Sequence, residues 1–164
     1  MGMHRFVILL ALSFYFTLSL GAVCHDNEIS CPKFRLKCDS RFGDKVSSNC
    51  PASCGKCEQP RTDGALKQCC SDLKMNSPCQ RLCKYGVTRN EVLDAVAKGY
   101  CDNADAEIWL TCASAGKDNG NCCKKHGAEF CGLICDGRYL AAKAAACFYG
   151  HMDTIVGCMS GKLK

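Results

Sequence analysis

The sequence predicts a mostly α, disulfide-rich fold, in which a small cysteine module precedes a helical domain built from a duplicated six-cysteine unit. Three observations predict it. The 164-residue chain carries 18 cysteines, an even number and more than a tenth of the residues. All of them follow an N-terminal stretch with the form of a secretory leader, so they enter an oxidising pathway, and that combination marks a disulfide scaffold. The last twelve cysteines also repeat their own spacing, with helical patterns between them.

The leader reads MGMHR, then FVILLALSFYFTLSL, then GAVCHD: a basic start, fifteen apolar residues and small residues before the first cysteine. This is a signal peptide over residues 1–22, cleaved after Gly21 or Ala22. The apolar run is shorter than the roughly 20 residues that a membrane span requires. The C-terminal CMSGKLK carries no lipid-anchor or retention signal. The expectation is therefore a secreted, extracellular, monomeric protein with no membrane span after cleavage.

The mature chain of about 142 residues keeps 20 Lys+Arg against 16 Asp+Glu, a net +4. Its basic residues are dispersed, with Lys124–Lys125 the only adjacent pair. The basic face with interleaved aromatics that a nucleic-acid binder needs is missing. If all cysteines pair, nine bridges form, each worth ~2–4 kcal/mol, chiefly by restricting the unfolded chain.

Six cysteines, Cys24, Cys31, Cys38, Cys50, Cys54 and Cys57, form a first group. EQPRTDGALK (58–67) follows and reads as a linker or turn. From Cys69 the pattern is CC, eight residues, Cys79, three, Cys83, seventeen, Cys101, ten, Cys112. From Cys122 it is CC, seven, Cys131, three, Cys135, eleven, Cys147, ten, Cys158. Two repeat units, 68–112 and 121–158, follow from this register. LCKYG aligns with ICDGR and EIWLTC with DTIVGC. The near-contiguous pattern favours one domain over 68–158.

NEVLDAVAKGYC predicts a helix with Asn90 as N-cap and Val92, Leu93 and Val96 on one side. AEIWLTCASAG predicts a helix stopped at Gly116. RYLAAKAAACFYG predicts an alanine-rich helix ending at Gly150. Cys79/Cys83 and Cys131/Cys135 stand four apart, a spacing that puts both sulfurs on one helical face and staples it to two neighbours. Adjacent cysteines such as Cys69 and Cys70 reach separate partners, because a bond between them strains the intervening peptide. The pairing stays open, since six cysteines allow 15 connectivities.

CHDNEISCPKFRLKCDSRFGDKVSSNCPASCGKC, residues 24–57, resembles the ShK toxin-like (ShKT) domain, through its closing CPASCGKC and its opening Cys24-His-Asp26. The resemblance implies two short helices and the pairs Cys24–Cys57, Cys31–Cys50 and Cys38–Cys54. Channel-blocking members use a Lys-Tyr pair between the third and fourth cysteines. Here the nearest candidate is Lys45, and Val46 follows it. Residues 68–158 resemble the nematode DB module, through QCCSDLKMNSPCQRLC and NCCKKHGAEFCGLIC. That family implies a twelve-cysteine extracellular domain without recognised catalytic residues.

CCKKHGAEFC invites two other readings. A lipolytic phospholipase places Asp after the histidine to hold calcium, but Gly127 follows His126, so the electrophile is missing. A zinc site needs thiolates, which a secretory route oxidises. His126 is expected as an exposed loop residue. DNADAE and KDNGN lack EF-hand spacing and read as helix starts and turns. No catalytic residue, metal or cofactor is assigned.

The expectation is a secreted binding protein, a ligand or cofactor of cell-surface or other extracellular proteins. Phe42, Lys45, Tyr85, Arg89, Arg138 and Tyr139 are its candidate contacts by loop position, since Tyr and Arg serve as interface anchors. Ion-channel modulation through residues 24–57 and a matrix or cuticle role are the alternatives.

Overall fold

The computed structural model describes residues 24–40 and 43–164. The leader and Phe42 lie outside the described residues. The described chain is helical, without strands. Its helices are α1 (Cys31–Phe34), α2 (Gly43–Asn49), α3 (Asp63–Asp72), α4 (Arg89–Ala97), α5 (Asn103–Ser114), α6 (Gly120–Lys125), α7 (Gly132–Cys135) and α8 (Ala141–Met159). Short 3-10 turns at Arg35–Lys37, Gln80–Leu82 and Glu129–Cys131 complete them.

All eighteen cysteines are paired within the chain. The first module is closed by Cys24–Cys57, Cys31–Cys50 and Cys38–Cys54, the three pairs that the resemblance implies. The first repeat is closed by Cys69–Cys112, Cys70–Cys83 and Cys79–Cys101. The second is closed by Cys122–Cys158, Cys123–Cys135 and Cys131–Cys147. Each unit thus joins its first cysteine to its sixth, second to fourth and third to fifth. No bridge crosses from one unit to another. The CC pairs do reach separate partners. Cys79 and Cys83, however, flank a 3-10 turn instead of riding one helix face.

The repeats are joined chiefly by packing, without a disulfide between them. Leu66, Leu110, Ile134, Ile155 and Met159 are fully buried in a single cluster drawn from both units. Each such side chain contributes about 1.5–3 kcal/mol when removed from water.

Two further sequence expectations are corrected. Thr88, not Asn90, caps α4: its hydroxyl accepts from Glu91 N at 3.3 Å, while the Glu91 carboxylate accepts from Thr88 N at 2.8 Å. This is the Thr-x-x-Glu capping box, which satisfies two otherwise orphaned donors.

The alanine-rich helix breaks at His151 (φ −135°, ψ 19°), beside the predicted stop at Gly150, and α8 is completed by a second helical segment that follows to Met159. That second segment buries Met152, Ile155, Val156 and Met159. In the first repeat the break falls earlier in the cysteine register, where Asp102 accepts from Ala104 N and Asp105 N and starts α5.

Residues 58–67 are not a free linker. Thr62 caps α3, so Asp63 onward is helical. Gln59 is buried and donates to the Cys112 carbonyl at 2.9 Å. Arg61 donates to the Cys158 carbonyl and to Asn119 Oδ1. The segment therefore ties to the closing helices of both repeats.

The first module docks on this body. Lys33 Nζ lies 2.6 Å from Glu107, Thr111 Oγ1 donates to the Ile29 carbonyl at 2.9 Å, and Arg35 donates to the Lys117 carbonyl at 3.0 Å.

Candidate binding site

Two concave surfaces of different character lie on the second module. The first is an apolar groove of about 320 Å³ between α4, α5 and α8. Val92, Leu93 and Val96, the face of α4 predicted from periodicity, line it and are not buried: Val96 is 55% exposed. The opposite wall is Ala141, Ala144 and Ala145 of α8, whose short side chains leave the space open. Trp109 forms part of the lining at 6% exposure, and its Nε1 donates to the Leu82 carbonyl at 3.0 Å. At the lip, the Arg89 guanidinium stacks 5.1 Å from the Tyr149 ring. Tyr139 donates its hydroxyl to Asn103 Oδ1 at 2.7 Å. Partial burial, with Glu107 as a lesser cause, raises the Tyr139 phenol above its usual range.

The second surface is a more open, mixed cleft beside α6, α7 and the start of α8. Phe130 is 54% exposed and Leu133 stands out beside it. Lys143 Nζ sits 4.4 Å over the Phe130 ring, a cation–π contact. Arg138 borders the cleft and donates to Asp136 Oδ2 at 2.8 Å. Burial, followed by the neighbouring Asp118, raises the Asp136 carboxyl above the usual range; Asp118 is lowered by its hydrogen bond with Asp136. Asp136 also faces Arg35 of the first module at 3.4 Å and accepts from Asn119 N. It therefore fixes Arg138 and the module joint together.

The sequence-predicted contacts separate accordingly. Tyr139 and Arg89 belong to the groove and its lip, Arg138 to the cleft, and Lys45 is exposed on α2. Tyr85 is a correction: it is only 5% exposed, and its hydroxyl donates to the Ala113 carbonyl at 3.2 Å. A connecting segment placed it, but the large ring gains by burial and the Ala113 carbonyl satisfies its hydroxyl there. Phe130, Leu133 and Tyr149 were missed. Phe130 sits in the quoted CCKKHGAEFC, where a large apolar residue among charged ones is the available signal.

His126 is exposed, with Nε2 3.2 Å from the Lys164 carbonyl. Cys79, Cys101 and Asp105 come within 4.8 Å of one another. The two sulfurs are bonded to each other, which removes the thiolates a metal would need. DNADAE is the α5 cap, as described. In KDNGN, Asp118 Oδ1 accepts from Gly120 N at 3.0 Å.

The fold and its bridges define a small disulfide-rich protein of extracellular type. Among the described residues no helix is long and apolar enough to cross a membrane. The chain matches the family model of the DB module over residues 69–160 and that of the ShK domain-like family over residues 23–57. It belongs to the DB module family, with a ShK-like domain preceding the module. No curated protein and no solved structure matches it.

Proposed function

We propose that this is a secreted, non-catalytic binding protein that recognises an extracellular protein partner, a cell-surface receptor being the first class to test. The observation that carries the proposal is the mixed face where Phe130 and Leu133 stand exposed beside Lys143 and Arg138. Aromatic and Arg side chains in a shallow, polar-rimmed patch have the composition of interface anchors. The scaffold beneath is stapled by Cys123–Cys135 and Cys131–Cys147, so little conformational entropy is lost on association. With every cysteine paired internally, no thiol remains for cross-linking into a matrix.

The test is a screen of the mature chain, multimerised to raise avidity, against an array of extracellular ectodomains. Saturable capture of a defined ectodomain is expected. Silence across the array from a chain with its nine bridges formed overturns the reading.

A further inference from the structure

The apolar groove shares no lining residue with the mixed cleft and has no part in the function proposed for that face. We infer that the groove is a binding site for a small, neutral, largely aliphatic molecule carrying at most a hydroxyl head group.

Size and lining point to a small ligand. Pockets of roughly 300–1,000 Å³ with apolar walls and a few convergent polar groups are the usual form of small-molecule sites, and this one holds about 320 Å³. Its walls come from both repeats, with α4 and α5 on one side and α8 on the other, so it exists only because the units pack as one body. The α4 face that lines it, Val92 and Val96, has the spacing of a buried helix face and is left uncovered.

Charge selects the head group. No Lys, Arg or His lines the groove among the described residues, whereas Asp102 and Asp105 do. The Asp105 oxygens are occupied by Asn76 N, Asn76 Nδ2 and Asp102 N. Asp102 accepts from two backbone amides and sits at the exposed edge. A carboxylate head group would be desolvated beside two acids with no cation among the lining residues, the Arg89 guanidinium at the lip being stacked on Tyr149, which is strongly unfavourable. A hydroxyl can donate to Asp102 at the mouth while its chain lies against Trp109, Val92 and Ala145.

Trp109 is the only tryptophan of the chain, so its emission reports occupancy without a label. The experiment titrates the full mature chain with decan-1-ol and, separately, with decanoate. It is repeated on Ala145→Phe, which fills the groove from an exposed position, and on Val96→Asp, which charges its lip. Circular dichroism confirms that both variants keep their helices. The site predicts a saturable shift in Trp109 emission with the alcohol, at least tenfold weaker binding of the carboxylate, and at least tenfold weaker alcohol binding in both variants. An unchanged emission, equal affinity for the two head groups, or binding that Ala145→Phe leaves intact overturns it. Capture of an ectodomain through the mixed face is read separately and is not altered by any of these results.

Discussion

The Cα of Gly116 is packed against the carbonyl of Ala52: a Cβ placed on Gly116 would lie 2.3 Å from the Ala52 carbonyl carbon and 2.4 Å from its oxygen. Gly116 also holds φ at +68°, a left-handed conformation that glycine adopts without strain. The glycine that follows the left-handed Ala115 cap of α5 is thus the point where the first module's backbone settles on the second. Gly116→Ala is expected to destabilise the whole chain by about 2 kcal/mol or more through clash and strain together. Loss of midpoint in a denaturant titration, with faster hydrogen exchange across residues 50–57, checks this; an unaltered midpoint contradicts the docking.

Tyr85 acts in the core and not at a surface. Burial pushes its phenol up to about 12, so ultraviolet titration of the folded chain is expected to show one tyrosine ionising near that value. Tyr85→Phe leaves the Ala113 carbonyl without its donor and is expected to cost about 1–2 kcal/mol. It leaves ectodomain binding unchanged.

Glu91 is held down to about 2, first by its hydrogen bond from Lys84 and then by those from Thr88. Its folded pKa lies below the usual 4.5, so the stability it contributes is present above about 4.5. That contribution is lost as pH falls from there towards 2. Carboxyl NMR is expected to show Glu91 titrating near 2 in the wild type and higher in Thr88→Ala combined with Lys84→Met, which leaves the backbone N–H of position 88 as a donor. The pair stands at the surface, so the effect on global stability is small.

The Cys79–Cys101 bridge closes a 22-residue separation beside the groove. Replacing both cysteines by serine is expected to cost about 3 kcal/mol. Trp109 emission is expected to shift as the Leu82 turn loosens. An unchanged melting temperature contradicts the assigned pairing.

Much of this architecture is legible in the sequence because cysteine spacing is a discrete signal. The two repeat units and the module order follow from it, and apolar periodicity adds the main helices. What escapes is context. The stop at Gly150 is legible, but the second helical segment after His151 is not, because Ile155 and Met159 are buried in a core that only the folded chain defines. Asn90 is a good cap in isolation but loses to Thr88, which has a glutamate three residues ahead. Tyr85 reads as exposed because segment position says nothing of the Ala113 carbonyl waiting for its hydroxyl. The groove is half legible: the apolar face of α4 is plain, but that it faces Ala141, Ala144 and Ala145 across an open gap depends on how the two repeats pack.

The most direct test of the account is a comparison of two variants in binding to whichever ectodomain the chain captures. Phe130→Ala removes the aromatic of the mixed face, and Val96→Asp charges the groove lip on the other. The account predicts that Phe130→Ala weakens binding at least tenfold, about 1.4 kcal/mol, while Val96→Asp leaves it unchanged. Full affinity in Phe130→Ala with loss in Val96→Asp would contradict it and move protein recognition to the groove.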